Sequence, residues 1–286
     1  MLTVLTVGSL HYDIMVETDH LPQRDETAVG TRWYPKFGGK GGNQAVSAAK
    51  AGATSRILGA VGDDDFGRFL RAALRAGQVD DRFVSVLTGT GSGISVALQD
   101  SAGDYAATIV SGANLLISHD ALTDPALWEG VGVLVLQNEV TADLNLAAAS
   151  QARARGLRTL LNAAPYRPLS PDLQPLIDIL VVNAVEAEMM GAGKVGSLDS
   201  AKDAAMMLAG RFESVIVTAG AAGLAGCGGA GEVFTLNAET VQVASSHGAG
   251  DAFIGTLAAQ IAGGAALEPA CRIASQAAAR HVAGLG

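Results

Sequence analysis

The sequence predicts a three-layer α/β/α fold: a central, mostly parallel sheet covered by helices on both faces, with a small antiparallel β lid beside it. Three observations carry this expectation. Short apolar runs recur along the chain, several of them continuous rather than alternating, as strands buried on both faces are. Helix-length stretches separate the runs, and strand alternating with helix calls for a parallel sheet. Two segments, 11–36 and 92–111, break the rhythm with polar character or strict alternation.

In chain order, TVLTVGSL (3–10) is the first strand. It has no positive flank and turns polar by His11, so it reads as a strand rather than a signal peptide. The mostly polar segment 11–36 follows, then a helix over 43–51 opened by Asn43. SRILGAVG (55–62) is a strand, and Asp63–Asp65 form a solvated turn before a helix over 66–76, a metal site being the other reading of that acidic triple. SGISVALQDSAGDYAATIVS (92–111) alternates around a turn at Ser101–Asp104 and reads as a hairpin with one solvated face. GVGVLVLQ (130–137), RTLLNAAP (158–165), DILVVNA (178–184) and ESVIVTAG (213–220) are further buried strands, interleaved with helices over 142–155 and 198–210. GCGGAG (226–231) fits the dinucleotide fingerprint only literally, because the strand-like EVFTL follows where that motif needs a helix. Helices over 251–262 and 266–283 close the chain. With no repeat and no linker, residues 1–286 form a single domain carrying two lid segments.

Composition narrows the function. The 286 residues have a formal net charge of −9 and no Lys/Arg run, which argues against a nucleic-acid surface or an anionic membrane face. No apolar run reaches the ~18 residues of a membrane-spanning helix; the cytoplasm is the default. Two distant cysteines, Cys227 and Cys271, read as small buried residues in a reducing compartment. Five scattered histidines show no metal-ligand spacing.

The chemistry concentrates in a few stretches just after strands. In GAGDAF (248–253) a helix opens near Ala249–Asp251, so unpaired N–H groups with partial positive charge meet small residues that let an anion approach. The plainer reading of Asp251 is helix stabilisation by a first-turn acid. In FGGKGGNQA (37–45) four glycines surround Lys40 without the Ser/Thr of a Walker loop, and close approach by a polar ligand is the expected reason. In VVNAVEAE (181–188), Asn183 and Glu186 suit either Mg²⁺ held through water or a capping box. TAGAAG (218–223) is a nucleotide-phosphate loop or a tight hairpin.

GGKGGNQA and the downstream GAGDAF together resemble the two signatures of the ribokinase-like (PfkB) family of sugar and nucleoside kinases, with the ribokinase branch nearest. VGSLHYD (7–13), GDDDFG (62–67), SGAN (111–114), NAAP (162–165) and VVNAVEAE follow in that family's order, so nearly the whole chain fits. The resemblance implies ATP-dependent phosphorylation of a sugar's primary hydroxyl, a pentose such as ribose. Asp251 then matches the catalytic base, and Gly248, Ala249 and Gly250 the anion hole. His11, Asp13, Gly39, Lys40, Asn43 and Glu139 match sugar positions. Asn183 and Glu186 match Mg·ATP positions, with Glu186 the Mg²⁺ contact through water, and Thr218, Gly220 and Gly223 match the nucleotide loop. Asp251, at a helix start, is expected to be ionised near neutral pH. The implied partners are a small sugar or nucleoside and ATP, with a homodimer through the lid.

The chain departs from that pattern in places. Ser245, with Ser246 next, stands where the family carries Asp, whose carboxylate helps to bind a monovalent cation, so potassium activation is not implied. His247 is bulkier than the usual residue and reads as nucleotide contact or as a solvated loop side chain. His11 replaces an Asn, which bears on which sugar fits. The resemblance also implies strand and helix beyond 266–283, supplying part of the cation site and nucleotide pocket, that this sequence does not include. Tyr12, Trp33 and Tyr34, in the first lid segment, would suit a nucleoside acceptor. A non-catalytic binder of sugar or nucleotide, and more remotely a dehydrogenase on a doubly wound sheet, are the readings from other classes.

Overall fold

A computed structural model of the chain describes residues 2–101, 105–245 and 247–285. The first half comprises β1 (Thr3–Val7), β2 (His11–Thr18), β3 (Gly30–Gly38), α1 (Lys40–Lys50), β4 (Thr54–Gly62), α2 (Asp65–Ala76), β5 (Val79–Leu87), β6 (Gly93–Asp100) and β7 (Tyr105–Val110). After short 3₁₀ turns come β8 (Val131–Gln137), α3 (Ala142–Ala154), β9 (Arg158–Asn162), β10 (Ile179–Asn183), α4 (Ala184–Met189) and α5 (Leu198–Ala209). β11 (Ser214–Thr218), β12 (Leu224–Cys227), β13 (Val233–Leu236), α6 (Ala249–Ala262) and α7 (Leu267–Val282) complete it. The anticipated turn at Ser101–Asp104 falls largely on Ala102–Asp104, outside the described residues, as does Ser246.

The large sheet has nine strands in the order β13-β12-β11-β10-β9-β8-β1-β4-β5. All neighbours from β11 to β5 pair parallel, and β12 and β13 add an antiparallel edge. The continuous apolar runs have a direct cause. Successive strand residues point to opposite faces, so Leu5, Leu134 and Leu136 enter one core while Val4, Val133 and Val135 enter the other. α3, α4 and α5 cover the first face, and α6 and α7 the second, continued by α1 and α2.

The small sheet runs β3-β2-β6-β7. It consists of two antiparallel hairpins joined by a parallel pairing of β2 with β6. The strand order of the large sheet reverses direction at β1, between β4 and β8. That is the place where open α/β sheets bind ligands beyond their strand ends. Residues 8–9 and 138–139 follow β1 and β8 there, and 162–164, 183 and 218 lie at the same ends of the next strands, β9, β10 and β11.

Candidate active site

The glycine run does a different job from the one the sequence suggested. α1 begins at Lys40 with Gly39 as its N-cap at φ 86°, so Asn43 lies inside the helix and does not open it. A Cβ on Gly39 would come within 2.8 Å of the Ser9–His11 backbone, and one on Gly41 within 2.5 Å of Ser9 N. One on Gly42 would strike the Phe37 ring, and one on Gly38 the Asp13 carboxylate. The missing side chains therefore admit the chain's own atoms, and this replaces the expectation of a close-approaching ligand. Glycine is a poor helix former, and here tertiary packing overrides propensity. The result is that α1's first turn sits tightly against the ends of β1 and β2.

That placement brings α1 to α6. Asp251, in α6's first turn, is 8% exposed. Its Oδ1 accepts from Gln44 Nε2 at 2.9 Å and its Oδ2 from Asn43 Nδ2 at 3.2 Å. Burial pushes its carboxyl above the ordinary range, opposed by the Lys40 ammonium and then by the Gln44 and Asn43 amides. Simple helix-start ionisation thus gives way to a balance of burial against these partners. Both oxygens accept from amides, the pattern a carboxylate offers. Gly248 caps α6 at φ 84°, and no side chain among the described residues caps its first N–H groups. Around Gly250 an added Cβ would meet nothing within 4 Å, so open space lies beside those donors.

A second cluster joins the two sheets. Glu139, just after β8, accepts Ser9 Oγ at 2.5 Å and Lys40 N–H at 2.9 Å through the same oxygen. His11 Nδ1 lies 3.7 Å from that oxygen. His11 is 2% exposed, its Nε2 lacks a partner among the described residues, and burial lowers its pKa against the pull of Glu139. Asp13 accepts Ser95 Oγ at 2.5 Å, and burial raises its pKa. Sequence reasoning missed Gln44, Ser9 and Ser95. For Gln44 the available signal was a second amide beside Asn43 in a helix of small residues. For Ser95 it was the polar phase of the alternating β6 run.

A cavity of about 140 Å³ lies between these elements and the ends of β9, β10 and β11. At ~30 Å³ per water, that is room for roughly four or five waters. It gathers Lys40, Asn183, Glu186, Thr218, Gly248, Gly250 and Asp251, all of them anticipated. Asn183 and Glu186 do form the capping box of α4, each side chain accepting the other's backbone N–H at 2.9 Å. Only Oε2 of Glu186 is used, and its second oxygen accepts nothing among the described residues. Burial raises the Glu186 pKa, with the Asn183 N–H and Lys40 opposing. TAGAAG proves to be a tight connection from β11 to the antiparallel β12. Thr218 reaches the cavity, whereas a Cβ on Gly223 would strike the Leu236 carbonyl and Gly220 lies in the turn.

A larger groove of about 710 Å³ runs over α6 between α1 and α7, lined partly by Asn43, His247 and Gly248. Among the described residues its lining includes no carboxylate, whereas the smaller cavity has Asp251. Ser245 Oγ accepts His247 N–H at 3.3 Å. Asp64 of the acidic triple caps α2 and accepts from Gly67 and Ser92, while Asp63 and Asp65 face Arg68. GCGGAG is the β12–β13 turn. Tyr12 stacks on Phe66 at 4.2 Å and so faces α2, not an acceptor. Both cysteines are free and buried.

The family model described as pfkB family carbohydrate kinase matches residues 1–286. The ribokinase of Mus musculus is 33% identical over 263 residues, covering 91% of this chain and 81% of its own. The deoxyribokinase of Salmonella typhi is 30% identical over 286 residues, covering 99% and 93%. The structure of Arabidopsis thaliana ribokinase complexed with ribose and ATP is 26% identical with a TM-score of 0.90, covering 98% of this chain and 92% of that one.

Proposed function

The chain belongs to the pfkB family of carbohydrate kinases, ATP-dependent phosphotransferases with an alcohol group as acceptor, and from that premise we propose that it phosphorylates the primary hydroxyl of a pentose such as ribose. One observation carries the reading: the buried Asp251 carboxylate, held by Asn43 and Gln44, borders the same small cavity as Lys40 and the start of α6. An acid there has an acceptor's proton to take, and the helix start has an anion to receive.

In this reading His11, Asp13 and Asn43 bind sugar hydroxyls, while Glu139 holds the first turn of α1 in place. The acceptor oxygen bonds to the γ-phosphorus of ATP as its proton passes to Asp251, and the bond from that phosphorus to the bridging oxygen breaks, releasing ADP. The N–H groups of Gly248, Ala249 and Gly250 and the Lys40 ammonium receive the charge on the transferring oxygens, with little reorganisation because they are already in place. Thr218 and the turn after it flank the nucleotide. Asn183 and the free oxygen of Glu186 suit an ion that keeps most of its waters, so they would hold Mg²⁺. When bound, Mg²⁺ neutralises phosphate charge. The small sheet closes over the sugar and limits hydrolysis of ATP by water. Its second face pairs two copies of the chain. A cytoplasmic setting fits the two buried thiols, and no helix among the described residues is long and apolar enough to cross a membrane.

The test is ADP release from Mg·ATP with ribose, deoxyribose, other sugars and nucleosides, each with and without potassium, for the native chain and Asp251→Asn. Pentose-dependent turnover that collapses in the variant is the expected result. Turnover on nucleosides alone would move the acceptor class. Binding of sugar or ATP without turnover would leave a binder.

A further inference from the structure

The C-terminal end of α7 grips the segment that leads into α6. The Val282 carbonyl, among the last of α7 without an intrahelical donor, accepts Ala244 N–H at 2.8 Å and Ser245 N–H at 3.2 Å. One residue earlier, His281 Nε2 lies 2.9 Å from the His247 carbonyl oxygen. A carbonyl only accepts, so His281 carries its proton on Nε2 in this contact. The same nitrogen would stand 3.0 Å from a Cβ on Gly248, so the imidazole also walls one side of that glycine.

We propose that His281 is a positioning residue: its Nε2–H holds the peptide between His247 and Gly248 so that the Gly248 N–H points into the cavity that receives the transferring phosphoryl group. The peptide unit is planar and trans, so its C=O and N–H point in opposite directions. A donor fixing the oxygen from the α7 side sends the N–H away from α7, and Gly248 is a cavity residue. The tie matters because glycine is the residue with the most backbone freedom to lose, and Gly248 sits at φ 84° with no side-chain cap among the described residues. A hydrogen bond to the oxygen also strengthens the N–H as a donor. A donor already aimed stabilises developing charge without reorganising during the reaction. The imidazole touches neither sugar nor nucleotide in this account; it acts through one peptide group.

The inference rests on the kinase reading, and the experiment separates the two. His281→Ala and His281→Gln are compared with the native chain in kcat, in KM for sugar and ATP, in thermal midpoint, and in the ¹⁵N–¹H resonance of Gly248. Gln restores an N–H at nearly the reach of Nε2. The expected result is a kcat fall in His281→Ala on the order of tenfold to 10²-fold, below the ~10²–10³ lost when such a donor is deleted outright. The sugar KM stays within about twofold, the Gly248 resonance moves, and Gln restores both kcat and resonance. A folded Ala variant with native kcat and an unmoved Gly248 resonance overturns the proposal. Equal losses in Ala and Gln, tracking a lower thermal midpoint, overturn it as well, since that is structural support only. If the native chain shows no turnover, the kinase reading fails and the Gly248 resonance alone decides the tie.

Discussion

Asp251 shows how one buried acid sets opposite demands on activity and stability. Burial raises its pKa, and Lys40, Gln44 and Asn43 hold it down. Turnover needs the carboxylate, so kcat/KM should fall as pH falls through that raised value. Lys40→Met and Gln44→Leu each remove an opposing influence, so both should move this acidic limb to higher pH. A pH profile unmoved in both variants would show that another group governs it. For stability the sign reverses. A carboxyl whose folded pKa exceeds its unfolded value binds its proton more tightly in the native state. Its contribution is complete below the unfolded pKa and is lost as pH rises through the folded one. Asp251→Asn, neutral throughout, should therefore raise the thermal midpoint near neutral pH while lowering kcat by roughly 10²–10⁴. A lower midpoint in that variant would mean that the two amide bonds outweigh the burial of charge. Gln44 has a buried acceptor, Oε1, without a partner among the described residues, for the new amide to meet. Asp251 itself was legible in the sequence because it begins an apolar periodic run after small residues. Gln44 was not, because its role depends on a partner 207 positions away.

Among the elements, the contact of α1 with α6 decides whether the site assembles. Gly255 faces α1 so closely that an added Cβ would strike the Gln44 carbonyl and come within 2.5 Å of Ser47 Cβ. Gly255→Ala should cost about 1–3 kcal/mol through overpacking. It should also lower kcat, because the same shift draws Asn43 and Gln44 off Asp251. Ser197→Ala removes the cap of α5 on the other face of the sheet, at about 1 kcal/mol, and should leave kcat unchanged. Thermal melts and kcat for the pair check this, and an equal kcat loss in both would reduce the Gly255 effect to stability. The six strands read as buried runs were legible because both of their faces meet helices. β5 escaped because it is an edge strand, paired among the described residues with β4 alone, so its sequence VDDRFVSVL keeps polar residues. The start of α1 was misplaced for the opposite reason: local propensity speaks against Lys40–Gly42, and only packing against Ser9–His11 makes them helical.

At the scale of the whole molecule, the small sheet has two unlike faces. Its register puts His11, Asp13, Lys36 and Ser95 on one side, toward the buried acids. Ile14, Val16, Trp33, Val96, Leu98 and Val110 share the other side. The hairpin alternation made these two faces legible, but not that β2 and β6 join them in parallel, which depends on strands 82 residues apart. On the apolar side Trp33 is 64% exposed and Val110 54%, more than a sheet face leaves open when it is covered. Pairing of two copies through this face, as proposed above, has a built-in reporter. The chain has two tryptophans, and Trp128, at 7% exposure with its indole N–H bonded to Leu122 O, is a constant background. Trp33 emission should therefore lie to the blue at high protein concentration and shift to the red on dilution, in step with a fall in sedimentation coefficient. Trp33→Glu places a charge in the shared face and should sediment as a monomer at every concentration. Red emission and monomer sedimentation for the native chain throughout would leave the apolar face open, and closure over the sugar would then be a property of one copy alone.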